Sequence, residues 1–225
     1  MKRFAFAAAA ALSIVVPSVS QATTIQINSY NFPFGTENGT LTLAASPFNG
    51  QSIGFGEFAL TGVNVSNGNS PVSYLTYCVD LLHGLSVPGL YTISPLSQLF
   101  NATQETNIVK ILANTNATDS DTSAAIQLAI WEVAFDNSAS VTAGAFHVAG
   151  GNSSAATALA NSYLSQLGSW TTQGRTATLL YSQTNQSQVF LNAVPESATW
   201  GMMIVGFGIV GASMRRRAKV TYRIA

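Results

Sequence analysis

Positive charge is almost absent from the body of this chain. Between Thr23 and Glu196, 174 residues, only Lys110 and Arg175 are basic, and the other seven Lys and Arg lie close to the two ends. All nine acids fall inside that stretch, so two bases face nine acids and the body carries a net −7, although the whole chain is formally neutral. A nucleic-acid partner is thereby disfavoured, because phosphates need a basic face to neutralise them. Asn, Ser, Thr, Gln and Gly must cover the surface instead, which suits contact with carbohydrate or matrix. Metal ligands are scarce too: one cysteine and two histidines show no ligand spacing, and no cofactor or metal is expected. No internal repeat or long linker is visible, and the stretch is long enough for one domain with a sizeable core. Six Asn-x-Ser/Thr triplets begin at Asn38, Asn64, Asn101, Asn116, Asn152 and Asn185. In a chain this rich in Asn, Ser and Thr they follow from composition and are not read as glycosylation sites.

What the body lacks in charge, the ends concentrate. Lys2 and Arg3 precede an uncharged apolar run from Phe4 to Val16, and Ser20-Gln21-Ala22 supplies small residues for a signal peptidase. Residues 1–22 therefore read as a secretory signal, the run being too short and wrongly flanked for an anchor. At the other end, Ala198 to Met214 carries no charge and is just long enough to span a bilayer. Arg215, Arg216 and Arg217 follow at once, and the positive-inside tendency places them on the cytoplasmic side. The plain alternative is a permanent single-pass anchor.

The last part of the chain, residues 194–225, resembles the PEP-CTERM sorting signal. Val194-Pro195-Glu196 corresponds to its short motif, the Gly-studded segment (Gly201, Gly206, Gly208, Gly211) to its helix, and Arg215, Arg216 and Arg217 to its basic cluster. Ser197 replaces the second proline, and eight residues follow Arg217, more than is usual. The resemblance implies cleavage by an exosortase in a Gram-negative bacterium that makes exopolysaccharide. It implies a secreted or cell-surface protein, anchored only transiently in the inner membrane through the C-terminal helix.

Within residues 23–193 the pattern is strands, then helices, then strands. TTIQINSY and GTLTLAAS alternate, IGFGEFALTGVNV is an apolar run broken by glycines, and SYLTYCVDL and GLYTISP are further strand candidates. RTATLLY and SQVFLNAV, joined by a polar turn, predict a hairpin. Helices are expected near 104–115, 121–136 and 153–168, the second starting at Asp121 or Thr122 as N-cap. The sum is an α+β domain, a β-sandwich or barrel with a helical insertion covering one side.

The only cysteine, Cys78, sits in TYCVDLLHG. An exported chain meets an oxidising compartment, where cysteines normally pair. A single one suggests an intermolecular bridge, a reactive thiol or a hidden one, and the plainest reading is a buried, inert apolar residue. Gln127 interrupts the apolar stretch AAIQLAIWEV, where an amide costs free energy unless it is hydrogen-bonded. It could bond to backbone as an ordinary core glutamine, or its side-chain carbonyl could be joined to Cys78.

The two segments resemble the thioester domains of bacterial surface adhesins. Tyr77, Cys78 and Asp80 match the first element of that family, and Gln127, Ala129, Ile130 and Trp131 the second, with Ile126 where threonine is frequent. The resemblance implies that the Cys78 thiolate attacks the Gln127 carboxamide and expels ammonia, so the domain is not an enzyme beyond this self-catalysed step. It implies attack by an amine or hydroxyl of a surface or matrix partner, with exopolysaccharide a candidate, leaving a covalent attachment. Two alternatives stay open: a passive matrix protein, in which Asp80 is a surface acid and Trp131 a core aromatic, and a cysteine hydrolase using His83 or His147 as base.

Overall fold

The computed structural model describes residues 22–136, 138–192 and 197–215. Among the described residues, nine strands and four α-helices make an α+β fold built on a closed antiparallel barrel. Six strands close the barrel: β1 (Thr24–Asn31), β4 (Phe58–Asn64), β5 (Ser70–Cys78), β9 (Gln188–Leu191), β8 (Ala177–Tyr181) and β6 (Gly89–Ser94), which returns to β1. The expected hairpin is present, with Leu179 opposite Val189 and Leu180 opposite Gln188. Ile25, Ile27, Leu60 and Tyr91 are fully buried or nearly so, while their strand neighbours are more exposed, as a two-residue side-chain period requires; on β8 and β9 Leu179, Leu180, Gln188 and Val189 are all buried.

The other three strands form a separate sheet in the order β3 (Ser52–Phe55), β2 (Glu37–Thr42) and β7 (His147–Ala149). The apolar run 53–65 therefore divides between two sheets instead of making one strand. Its break falls at Gly56, where a Cβ would lie 2.9 Å from the Gly35 carbonyl oxygen and 3.1 Å from Ser123 Oγ. Backbone passes too close there for any side chain, and the next residue is tied down as Glu57 N–H donates to Ser123 Oγ at 2.6 Å.

Helices α1 (Ala102–Asn114), α2 (Ser120–Phe135) and α3 (Ser154–Gln166) lie close to the expected ranges. The N-cap of α2 is Asp119, not Asp121 or Thr122. Its carboxylate accepts from Thr122 N–H at 2.8 Å, and Thr122 Oγ1 accepts from the Asp119 N–H at 3.1 Å, a reciprocal capping box. Asn101 and Gln104 do the same for α1. Every residue of α2 from Ser123 to Val133 is buried. The helix is apolar on nearly all sides because it is enclosed, packing on β5 of the barrel, on β2 and β3, and on α1 and α3.

The C-terminal segment forms a helix, α4 (Ser197–Arg215), whose residues 201–211 are exposed. Among the described residues, however, no helix is long and apolar enough to cross a membrane. The signal segment up to Gln21, together with Pro195, Glu196, Arg216 and Arg217, lies outside the described residues.

Candidate functional site

Cys78 ends β5, one of the two positions at which β5 pairs with β9, opposite Gln188. Helix α2 crosses behind this strand end and carries Gln127 in the middle of its enclosed stretch. Both residues have no solvent exposure. The structure brings them into direct contact. Cys78 N–H donates to Gln127 Oε1 at 2.8 Å, and Gln127 Nε2 donates to the Cys78 carbonyl at 2.7 Å. The side-chain amide thus acts as one more rung of sheet, satisfying backbone groups that β9 leaves free and meeting the desolvation cost of a buried amide.

The thiol is held by the turn that follows. Cys78 Sγ donates to the Asp80 carbonyl at 2.9 Å and accepts from Asp80 N–H at 3.3 Å. The Asp80 side chain organises the next residues, accepting from Leu82 N–H at 2.7 Å and from the His83 ring at Nδ1, also 2.7 Å. Asp80 is thus a buried structural acid rather than a surface one. His83 is turned toward Asp80 and not toward the sulfur, and His147 lies on β7 with its ring against the Gly144 carbonyl. Neither histidine ring is hydrogen-bonded to the Cys78 sulfur as a cysteine hydrolase would pair them.

Burial pushes the Cys78 thiol up, far above the ordinary thiol range. The Asp80 backbone N–H and the Trp131 indole work the other way, and the negative charge of Asp80 adds to the rise. Trp131 Nε1 is buried with no acceptor in hydrogen-bonding geometry, although it lies near enough to the sulfur to favour a thiolate. Its ring is wedged edge-on between Phe55 and Phe146, each with its centroid 6.2 Å away. Ala129 is fully buried on the same helix. The sulfur environment therefore suits a neutral, water-free species and opposes a standing thiolate.

Tyr77 points to the opposite face of β5, with its hydroxyl on the Glu57 carboxyl, and burial raises both groups. Sequence reasoning had no signal for this pair beyond an acid next to an apolar run. Glu132, also missed, is fully buried; its Oε1 accepts from Ser138 Oγ at 2.7 Å, while Oε2 has no partner. Burial pushes the Glu132 carboxyl up, the bonds from Ser138 and Ser140 opposing. A raised folded-state value means the native protein holds this proton more tightly than the unfolded chain. The contribution is therefore fully present below the ordinary carboxylate range and is lost as pH rises through the folded value. We expect Glu132→Gln to be more stable than the parent near neutral pH and to lose that advantage in acid, as read by urea unfolding at a series of pH values.

Among the described residues, no group of three or more His, Cys, Asp or Glu side chains is placed to hold a metal ion. The class defined so far is structural: an antiparallel barrel with a helix-borne glutamine clasped to a buried cysteine. No family model, curated protein or solved structure matches the chain.

Proposed function

We propose that this is an exported bacterial surface or matrix protein whose Cys78 and Gln127 form an internal thioester for covalent attachment. The observation that carries the reading is the double hydrogen bond between the Gln127 amide and the Cys78 backbone, inside a site without solvent exposure. The Cys78 N–H that holds the Gln127 carbonyl belongs to the same residue as the attacking sulfur, so electrophile and nucleophile hang from one backbone position. Preorganisation of this kind is what an unreactive amide needs, and an N–H aimed at the carbonyl oxygen stabilises the charge that develops there. Sulfur attack on the Gln127 Cδ forms the S–C bond, the C–N bond breaks, and the amide nitrogen leaves with the thiol proton as ammonia. Acylation also removes an ionisable group from a place that disfavours its charge. The product is an electrophile stored away from water until an amine or hydroxyl reaches it.

Export through a cleaved N-terminal signal and sorting by an exosortase, acting on the PEP-CTERM-like tail, belong to the same proposal. Signal peptidase and exosortase would be its processing partners, and the mature domain would be secreted or held at the cell surface. A second reading rests on its own observation: the two bonds made by Gln127 already account for its burial, as in a passive matrix protein with an inert core cysteine. Methylamine separates the two. Incubation of the purified protein followed by peptide mapping should find a methylamide at Gln127 and a new thiol at Cys78. Both residues recovered unmodified would favour the passive protein.

A further inference from the structure

Beside the Cys78–Gln127 pair lies a cleft of about 530 Å³ that neither residue lines directly. The chain leads into it from both sides. Val79 and Asp80, which follow Cys78 just beyond the end of β5, form one wall, and Ala134 and Phe135 form another. These last two follow Trp131 by one helical turn on α2, as Trp131 follows Gln127, so one helix stripe runs from the amide to the cleft. Phe100, Phe135 and Tyr181 supply aromatic surface, while Ser182, Gln183 and Ser187 supply hydroxyls and an amide. The charged or titratable groups of the wall are Asp80 and His83, which are paired with each other, and the tyrosine hydroxyl. Nothing in it favours an ionic ligand. Aromatic faces with neutral hydrogen-bonding groups match a sugar ring.

We infer that this cleft is the acceptor site of the proposed thioester, that it takes a neutral carbohydrate hydroxyl, and that the Asp80–His83 pair serves as its general base. The inference rests on the thioester reading. Asp80 Oδ2 holds His83 Nδ1 at 2.7 Å. With the Nδ1 proton directed to the carboxylate, Nε2 keeps its lone pair and is free to accept a proton from a hydroxyl in the cleft. A hydroxyl needs such help because it must lose its proton to attack, whereas a neutral amine already carries a free electron pair. In the step proposed, the sugar oxygen bonds to the Gln127 Cδ as the C–S bond breaks. The hydroxyl proton passes to His83 Nε2 and then to the Cys78 sulfur, leaving an ester at residue 127 and a free thiol. The 79–83 turn, which carries both the base and the Asp80 groups that hold the sulfur, must yield for the acceptor to reach the carbonyl.

The test is a competition read by mass spectrometry. The purified protein is incubated with a methyl glucoside and methylamine together, and ester and amide products at residue 127 are counted. The parent should form both. His83→Ala should lower the ester-to-amide ratio on the order of a hundredfold, the usual contribution of a general base. His83→Gln can still donate a hydrogen bond to Asp80 and fill the space, but it cannot take the proton; its ratio should fall similarly. An unchanged ratio in both variants, with the parent protein lighter by one ammonia, would overturn the cleft's role and leave the thioester standing. A parent of full mass with a titratable Cys78 would overturn both.

Discussion

Cys78→Ala should abolish methylamine uptake while leaving the domain folded. The substitution removes the attacking sulfur, so no thioester can form and Gln127 remains an ordinary, unreactive amide. Measured against the protein before the thioester forms, the fold loses only the two sulfur contacts to the Asp80 backbone and a small buried volume. No disulfide is broken, because Cys78 is the only cysteine of the chain. A loss of about 1–2 kcal/mol is in line with deletion of a small buried group. The check is amine incorporation measured beside a urea unfolding curve. Incorporation that persisted at Gln127 in the variant would have to come from another route, and the sulfur would have no part in it.

Gln127→Ala should also abolish methylamine uptake, since it removes the acyl carbon, and it should add a severe loss of stability relative to the protein before the thioester forms. Truncation strands the buried N–H and C=O of Cys78, which no other strand or side chain satisfies at this edge. Each stranded group costs about 1–3 kcal/mol. A void inside the enclosed helix α2 adds to this, since neighbours such as Ala124, Ile130 and Trp131 are already packed. For a domain of this size the fall in Tm should be on the order of 10 °C, measured by thermal unfolding. A Tm within a degree or two of the parent would mean that the clasp contributes little to the fold. The asymmetry between the two variants is informative because the same pair supports both packing and the proposed chemistry.

Cys78 and Gln127 stood out in the sequence because each broke a local rule, while their pairing was implied only by the resemblance to thioester domains. An unpaired thiol in a chain expected to be exported and an amide inside AAIQLAIWEV both needed an explanation, and the strand and helix that carry them were marked by plain periodicity. The α+β class was legible for the same reason. What stayed hidden depends on contacts distant in sequence. The run 53–65 has the composition of one strand, and only the approach of Gly35 and Ser123 to Gly56 shows why it must divide. Asp121 and Thr122 satisfy the cap rule as single letters, but the reciprocal bonds select Asp119 as cap and Thr122 as its partner. Asp80 was marked as a motif neighbour, while its hold on His83 depends on a turn that sequence spacing does not specify. The burial of Glu57 and Glu132, two acids in a chain poor in bases, is likewise set by what packs over them. β7, three residues long, is too short to show a period and is defined by its pairing with β2.

The intact mass of the mature protein tests the thioester most directly, because bond formation expels one molecule and changes nothing else in the composition. After allowance for the observed termini, the account expects a mass lower than the sequence mass by one ammonia. It also expects that deficit to disappear in Cys78→Ala. A protein of full sequence mass, with Cys78 recovered as a free thiol on unfolding, would contradict it.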